Sequence, residues 1–340
     1  MRALYFTAPR QIEIREEPIP EPTPGQILVQ TLFTAISPGT EMLIYRGDVP
    51  EGLAADENIA SLAGELQYPL KYGYANVGRI TGAGSPDLTG WVDRLIFSFQ
   101  PHQTHFLATP DQVIPIPDGI TPEQALFLPN METAVNFVMD GQPLIGERVA
   151  VFGQGIVGLL TTALLAQFPL KSLITFDRYP RRRAASRQAG AHQALESWAA
   201  SSSPDHPTPH TGLAGFFDLT YELTGSPAAL NDAISVTGFD GRIVIGSWYG
   251  QKRAPIDLGG YFHRSRIRLI SSQVSTLAPH LSGRWDKARR FDVAWEMIRK
   301  VNPEQWITQR YPFDQVGNAY QLVDQNPQNT IQTILEYPSG

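Results

Sequence analysis

Apolar and polar residues alternate through the first stretch, MRALYFTAPRQIEIREEP, with the period of two that marks a half-buried strand. ILVQTLFTAIS, VGRITGAG and FLATPDQVIPIPDG follow as strands and a turn, and Pro18, Pro20, Pro22 and Pro24 make a stiff, extended connection ahead of them. The β-rich pattern holds to about Pro129. At TPEQALF, where Thr121 is placed to cap a helix with Pro122 in its first turn, the rhythm changes. VAVFG, LITFD, FFDLTYEL, GRIVIGSW and IRLISSQV are apolar runs separated by helical or loop segments, as in a parallel sheet covered on both faces. Trp198 to Gly212 reads as a loop, and its His206 and His210 are metal-ligand candidates by residue type only. The C-terminal stretch predicts a helix around KARRFDVAWEMIRK, a strand at ITQRYPF, a helix around QVGNAYQLV and a final strand TIQTILEY. The pattern predicts an α/β fold: a β-rich domain, a doubly wound domain, and a tail that returns to the first.

Length supports two domains, because 340 residues exceed the usual size of one core. The chain contains no cysteine, which excludes disulfides, iron–sulfur clusters, thiol nucleophiles and Cys-bearing zinc sites, and fits a reducing cytoplasm. A metal would have to draw on carboxylates and the 7 histidines. The net charge of −6 argues against a general nucleic-acid binder and leaves small molecules as expected partners. From Arg148 to Lys171 no charged residue intervenes, long enough to suggest a membrane span. Interruption by three glycines, two glutamines and two threonines points instead to a buried strand, a glycine turn and a helix, so no membrane association is expected. The N-terminus lacks the long apolar core of a signal peptide.

Within that uncharged run, VAVFGQGIVGLLTTALLAQF sets Gly153, Gly155 and Gly158 in a GxGxxG pattern after a β run and at the start of an apolar helix. Gly153 permits a tight turn, Gly155 lets a pyrophosphate approach the backbone, and Gly158 lets helix and strand pack closely. Free N–H groups and the helix dipole would face the phosphate. The next strand, LITFD, ends in Asp177, whose carboxylate can accept hydrogen bonds from ribose hydroxyls and would repel a 2′-phosphate. NAD is favoured, while Arg178 and the run Arg181, Arg182, Arg183 keep NADP open.

At these residues the chain resembles the medium-chain dehydrogenase/reductase superfamily of the zinc alcohol dehydrogenase type, over nearly its full length. The resemblance is carried by GYANVG at Gly73 to Gly78, the glycine turn, Asp177 to Ala191, LTGSPAALNDAI, GRIVIGSWYG, YPFDQVGNAYQLV and TIQTILEY. ISPGTEM, FSFQPHQTHF, FHRSRIRLISSQVS and RWDKARR look more narrowly like the bacteriochlorophyllide dehydrogenase branch. The resemblance implies a GroES-like substrate domain over 1–127 and 271–340, a Rossmann domain over 128–270, and a homodimer through the edge strand near Ile267 to Ser271. It also places Arg182 where family members carry a basic residue that touches the ribose.

Departures from the family pattern bear on mechanism. Its C-x-T-D-x-H reads here Pro38-Gly39-Thr40-Glu41-Met42-Leu43, its G-H-E reads Gly73-Tyr74-Ala75, and its third zinc ligand falls at Pro129 or Asn130. No catalytic metal is expected. Hydride transfer at a carbonyl carbon still needs a group to steady charge on oxygen and a group to move a proton. The candidates are Thr40, Glu41, Tyr74 and His102, with His105 beside them and a His102, His105, Glu41 metal site as an alternative. Trp248, Tyr249, Tyr72, Phe97 and Phe99 would suit an aromatic cleft for a large apolar substrate, such as a hydroxyethyl-bearing tetrapyrrole. The expected enzyme is a zinc-independent NAD(P)-dependent oxidoreductase that interconverts a secondary alcohol and a ketone. An enone or quinone reductase and a non-catalytic nucleotide-binding sensor are the alternatives.

Overall fold

The computed structural model describes residues 1–49, 66–196, 213 and 216–338. The expected loop from Trp198 to Gly212, with His206 and His210, lies outside the described residues. The chain divides into two compact units, one made of Met1–Pro129 and Asn302–Gly340, the other of Asn130–Val301. The fold is α/β, with one β-rich unit and one doubly wound unit.

In the first unit the opening alternation forms a hairpin, Arg2–Ala8 antiparallel to Gln11–Glu16. Among the described residues a larger sheet runs in the order Ile307–Pro312, Gln332–Glu336, Ile27–Ile36, Asn76–Ala83, Leu95–Ser98, Ile114–Pro115, and His105–Ala108 also pairs with Ile27–Ile36. The C-terminal strand Gln332–Glu336 lies antiparallel to Ile27–Ile36, pairing Ile334 with Ala35, so the tail returns to the first sheet. Leu4, Phe6, Ile36, Met42, Phe313, Tyr320 and Leu335 pack into one buried cluster there. Thr121 caps its helix as expected: its hydroxyl accepts from the Gln124 N–H at 3.1 Å, while the Gln124 side chain accepts from the Thr121 N–H at 3.1 Å.

In the second unit the strands are parallel, in the order Gln193–Leu195, Ser172–Phe176, Arg148–Phe152, Phe217–Glu222, Thr237–Ile245, Arg268–Ser271. The order reverses after Arg148–Phe152, which makes the end of that strand the topological switch point. Alternate residues feed different cores: Ala150 and Phe152 pack with Phe176, Leu230 and Ile234, while Val149 and Val151 pack with Phe137, Leu165 and Val244. That two-sided burial explains why these strands read as unbroken apolar runs. Among the described residues no helix is long and apolar enough to cross a membrane.

One expected boundary is displaced. The return to the first unit comes at Asn302 and not at 271, because the helix Lys287–Val301 belongs to the second unit. Its Arg290 is fully buried and reaches Glu132 Oε1 with Nη2 at 2.8 Å and Nε at 3.1 Å, and Asn136 Oδ1 with Nη1 at 2.6 Å. The Thr276 carbonyl accepts from the same guanidinium at 3.2 Å. A buried guanidinium needs such partners, and here they all lie on the second unit. Desolvation in turn raises the Glu132 carboxyl above its ordinary range, against the lowering effect of Arg290.

Candidate functional site

The helix Thr40–Arg46 begins at the turn Ser37-Pro38-Gly39, with Gly39 at its N-cap. Its first turn carries Thr40 and Glu41, and the apolar residues Met42, Leu43 and Ile44 behind them enter the core. That packing draws Glu41 down to 0% exposure. A carboxylate at such depth requires partners, and Glu41 has two on one oxygen. The Tyr320 hydroxyl donates to Glu41 Oε2 at 2.7 Å, and His102 Nε2 lies 3.0 Å from the same atom. Glu41 Oε1 is buried and finds no hydrogen-bond partner among the described residues.

His102 is likewise buried, with its Nδ1 2.7 Å from Thr34 Oγ1. Thr34 in turn lies 3.1 Å from the Tyr337 hydroxyl. Gly73 makes room for the imidazole, since a Cβ there would come within 2.8 Å of His102 Cδ2. Burial and the Glu41 carboxylate push the Tyr320 hydroxyl well above its ordinary pKa, so it stays a donor. The Tyr337 hydroxyl is raised too, chiefly by burial.

Tyr74 stands at the edge of this cluster. Its hydroxyl donates to Ser37 Oγ at 2.6 Å and also hydrogen-bonds the Thr40 side chain. Desolvation, with a smaller contribution from Glu41, pushes it up to about 12. The structure therefore gathers Thr40, Glu41, Tyr74 and His102 in one neighbourhood, and adds Thr34, Ser37, Tyr320 and Tyr337. His102 has no exposed surface, and its ring nitrogens meet Glu41 and Thr34. His105 stands apart, 3.1 Å from Thr104 Oγ1, with its pKa lowered by burial and by the N-terminal amine. Among the described residues no three His, Asp or Glu side chains come together to hold a metal ion.

In the second unit, Gly153 ends the strand Arg148–Phe152 at φ +88°, donating its N–H to the Phe176 carbonyl at 2.8 Å. Its Cβ position lies 2.5 Å from the Leu223 carbonyl oxygen, and that of Gly158 only 2.0 Å from the Gly153 carbonyl oxygen. Strand, turn and helix can approach so closely only with hydrogens at both places. Gly155 is different: as the N-cap of the helix Ile156–Leu165 it has open space beside it, the nearest atom to a Cβ being Arg182 Nη1 at 3.9 Å. Open space before free helix N–H groups is what a phosphate needs. Asp177, 7% exposed, closes the next strand and accepts from the Gln154 N–H through Oδ2 and from the Tyr179 N–H through Oδ1, both at 2.8 Å. Each oxygen keeps a lone pair for a ligand hydroxyl. Arg182 Nη1 lies 4.0 Å from Asp177 Oδ2, and the guanidinium groups of Arg178 and Arg182 sit over the Tyr179 ring at 5.3 and 5.0 Å.

The aromatic residues expected at a cleft differ in burial. Tyr72 and Phe97 are buried, at 3% and 0% exposure, because both face the core of the first unit. Phe99 packs edge-on against Phe97. Trp248 is exposed, and Tyr249 is tied by its hydroxyl to Glu222 Oε2 at 2.5 Å.

No family model matches the chain. The starvation-sensing protein RspB of Escherichia coli strain K12 is 22% identical, with 99% of this chain and 99% of the relative aligned. An alcohol dehydrogenase of Cupriavidus necator is 28% identical over 69% of this chain and 73% of its own length. Among solved structures, an alcohol dehydrogenase (rspB) of E. coli CFT073 in complex with NADH superposes with a TM-score of 0.76, at 19% identity, covering 99% of both chains. The fold is thus that of alcohol dehydrogenases built from a GroES-like and a Rossmann domain.

Proposed function

We propose that this chain is a cytoplasmic NAD(P)-dependent oxidoreductase that interconverts a secondary alcohol and a ketone without catalytic zinc. The observation that carries the reading is the glycine turn at the switch point, open at Gly155 and followed by Asp177 at the end of the next strand. Those residues fit a dinucleotide: helix N–H groups and the dipole for its pyrophosphate, Asp177 for its ribose hydroxyls. Asp177 supports NAD as the preferred form, and Arg178 and Arg182 are the groups that would admit NADP. Named relatives that include alcohol, L-threonine and L-idonate dehydrogenases support a reaction at a hydroxyl-bearing carbon.

Zinc does not fit the donors present. The three positions that the family uses as ligands hold Pro38, Tyr74 and Pro129 or Asn130. A proline side chain donates no electron pair, and the Tyr74 phenol is held protonated. The bound nicotinamide would accept or supply the hydride. The chain's own residues would do the rest: Tyr74 and Thr40 donate hydrogen bonds to the substrate oxygen, and Glu41 holds or releases the proton. The bulky tetrapyrrole substrate implied by the resemblance has less support, since Tyr72 and Phe97 are buried.

Purified protein should quench or enhance NADH fluorescence on binding, prefer NADH to NADPH, and reduce some member of a panel of ketones that includes an acetyl-bearing macrocycle. Cofactor oxidation by quinones but not by ketones would select the enone or quinone reductase. Binding without turnover on either panel would select the sensor. Stoichiometric zinc after purification without added metal would remove the metal-free claim.

Self-association belongs to the same reading. Arg268–Ser271 is an edge strand with Leu269 exposed, and Phe239 in the neighbouring strand is 73% exposed. An open edge beside exposed apolar side chains supports pairing with a second copy. Sedimentation should give a dimer, and a monomer at micromolar concentration would refute it.

A further inference from the structure

The hydrogen bonds around Glu41 do not stop at His102. From Glu41 Oε2 they run to His102 Nε2, from Nδ1 to Thr34 Oγ1, and from there to the Tyr337 hydroxyl, in steps of 3.0, 2.7 and 3.1 Å. Tyr337 lines a cavity of about 370 Å³ together with Met1, Glu17, Thr31, Thr104 and His105. The four residues come from four places in the chain: the helix Thr40–Arg46, the strand Ile27–Ile36, the segment before His105, and the C-terminus after Glu336. Every group in the series can both donate and accept a proton.

We propose that Thr34, His102 and Tyr337 form a proton relay linking Glu41 to this cavity, and that Glu41 is the group it recharges during turnover. This rests on the reading of the chain as a dehydrogenase. A second observation points the same way: among the described residues Glu41 Oε1 is buried and unpartnered, while Oε2 takes both of the bonds given to the side chain. An orphaned acceptor in a folded core calls for an explanation, and a second, free oxygen suits a carboxyl that exchanges a proton on one side and is fed on the other.

The relay balances. With the imidazole neutral, Tyr337 donates to Thr34, Thr34 donates to Nδ1, and Nε2–H donates to the ionised Glu41. A proton taken up by the Tyr337 oxygen from cavity water moves Tyr337's proton to Thr34, Thr34's to Nδ1 and that of Nε2 to Glu41. Glu41 becomes the acid that would protonate the oxygen of a ketone, to which a bound nicotinamide would supply the hydride. Every donor in the series then points outward. Rotation of the hydroxyls and exchange of the imidazole protons restore the first arrangement, and alcohol oxidation runs the same series in reverse. Burial holds the tyrosine hydroxyls protonated, so they pass a proton on and do not keep an ionised form. Thr34, His102 and Tyr337 are positioning and relay residues. None of them touches the substrate.

The decisive experiment is solvent exchange of the His102 Nε2 proton, followed by NMR in the full chain labelled with nitrogen-15 histidine, for wild type, Thr34→Val, Tyr337→Phe and Thr34→Ser. The relay requires exchange to be fast in wild type despite the buried imidazole, to slow by at least about tenfold in Thr34→Val and Tyr337→Phe, and to recover in Thr34→Ser, as expected when one hydrogen-bonded link is cut and restored. A merely structural role predicts the opposite sign, because loosened packing speeds exchange. Equal rates in all four proteins, or faster exchange in Thr34→Val, overturn the relay. The measurement needs no substrate, so it is decided separately from the ketone panel: a chain that binds NADH and reduces nothing loses the dehydrogenase reading, whatever the exchange rates show.

Discussion

Gly155→Ala is expected to fold almost as well as wild type and to lose about a hundredfold in dinucleotide affinity, roughly 2.7 kcal/mol, whereas Gly158→Ala is expected to lose stability as well. The contrast follows from what each new methyl group would meet. At Gly155 the backbone is extended and the nearest atom is Arg182 Nη1 at 3.9 Å, so the cost to folding is confined to a poorer helix N-cap, about 1 kcal/mol. The methyl would occupy the approach that a pyrophosphate needs. At Gly158 two effects compete: alanine gains about 1 kcal/mol of helix propensity, but its Cβ would stand 2.0 Å from the Gly153 carbonyl oxygen. A backbone oxygen cannot rotate away, so helix and turn must separate, and overpacking of about 3 kcal/mol outweighs the gain. Denaturant unfolding and NADH titration of both variants separate the two cases. Wild-type affinity in Gly155→Ala would mean that no pyrophosphate crosses this turn.

The glycine turn was legible in the sequence because its chemistry is local. Three hydrogens at fixed spacing, a strand before, a helix after and an acid at the end of the next strand lie within one βαβ unit, and short-range pattern reports them directly. The cluster around Glu41 was half legible. Thr40, Glu41 and Tyr74 emerged only through resemblance, since nothing in SPGTEM or GYANVG states that a carboxylate will be buried. Tyr320 bonds Glu41 across 279 positions of sequence and Tyr337 meets Thr34 across 303, separations that no local pattern spans. One signal was available for Tyr320: it shares a helix face with Val316, Ala319 and Val323, and a tyrosine on an apolar face must find a partner for its hydroxyl. The misplaced boundary has the same origin. Periodicity in KARRFDVAWEMIRK shows which face is buried but not which unit covers it, and Arg290, charged in sequence, is one of the most deeply buried side chains of that helix. The burial of Tyr72 and Phe97 was hidden for the converse reason, since an aromatic residue in a strand reads alike whether it faces a cleft or a core.

Glu41→Gln is the most informative test of the chemistry, with kcat expected to fall by about 10² to 10⁴ for loss of a positioned proton carrier and NADH affinity expected to stay within about threefold, ~0.65 kcal/mol. The amide is nearly the same size as the carboxyl, and its carbonyl oxygen can occupy the place of Oε2, accepting from Tyr320 and from His102 Nε2–H. The NH₂ group then takes the place of Oε1, which has no partner among the described residues, and there a buried donor costs about 1–3 kcal/mol. Stability should fall by that amount while the network around it survives. Removing the acceptor as well, in Glu41→Leu, would leave His102 and the Tyr320 hydroxyl buried without their partner and should cost more than Glu41→Gln. If Glu41 were only a strut, the two variants would lose activity in proportion to stability, and Glu41→Gln would keep most of its kcat below its unfolding transition. If it carries the proton, Glu41→Gln loses nearly all turnover while still folded and still binding NADH. Steady-state kinetics on the best ketone, with denaturant unfolding and NADH titration on the same preparations, distinguishes these outcomes, and a kcat within about threefold of wild type would remove Glu41 from the mechanism.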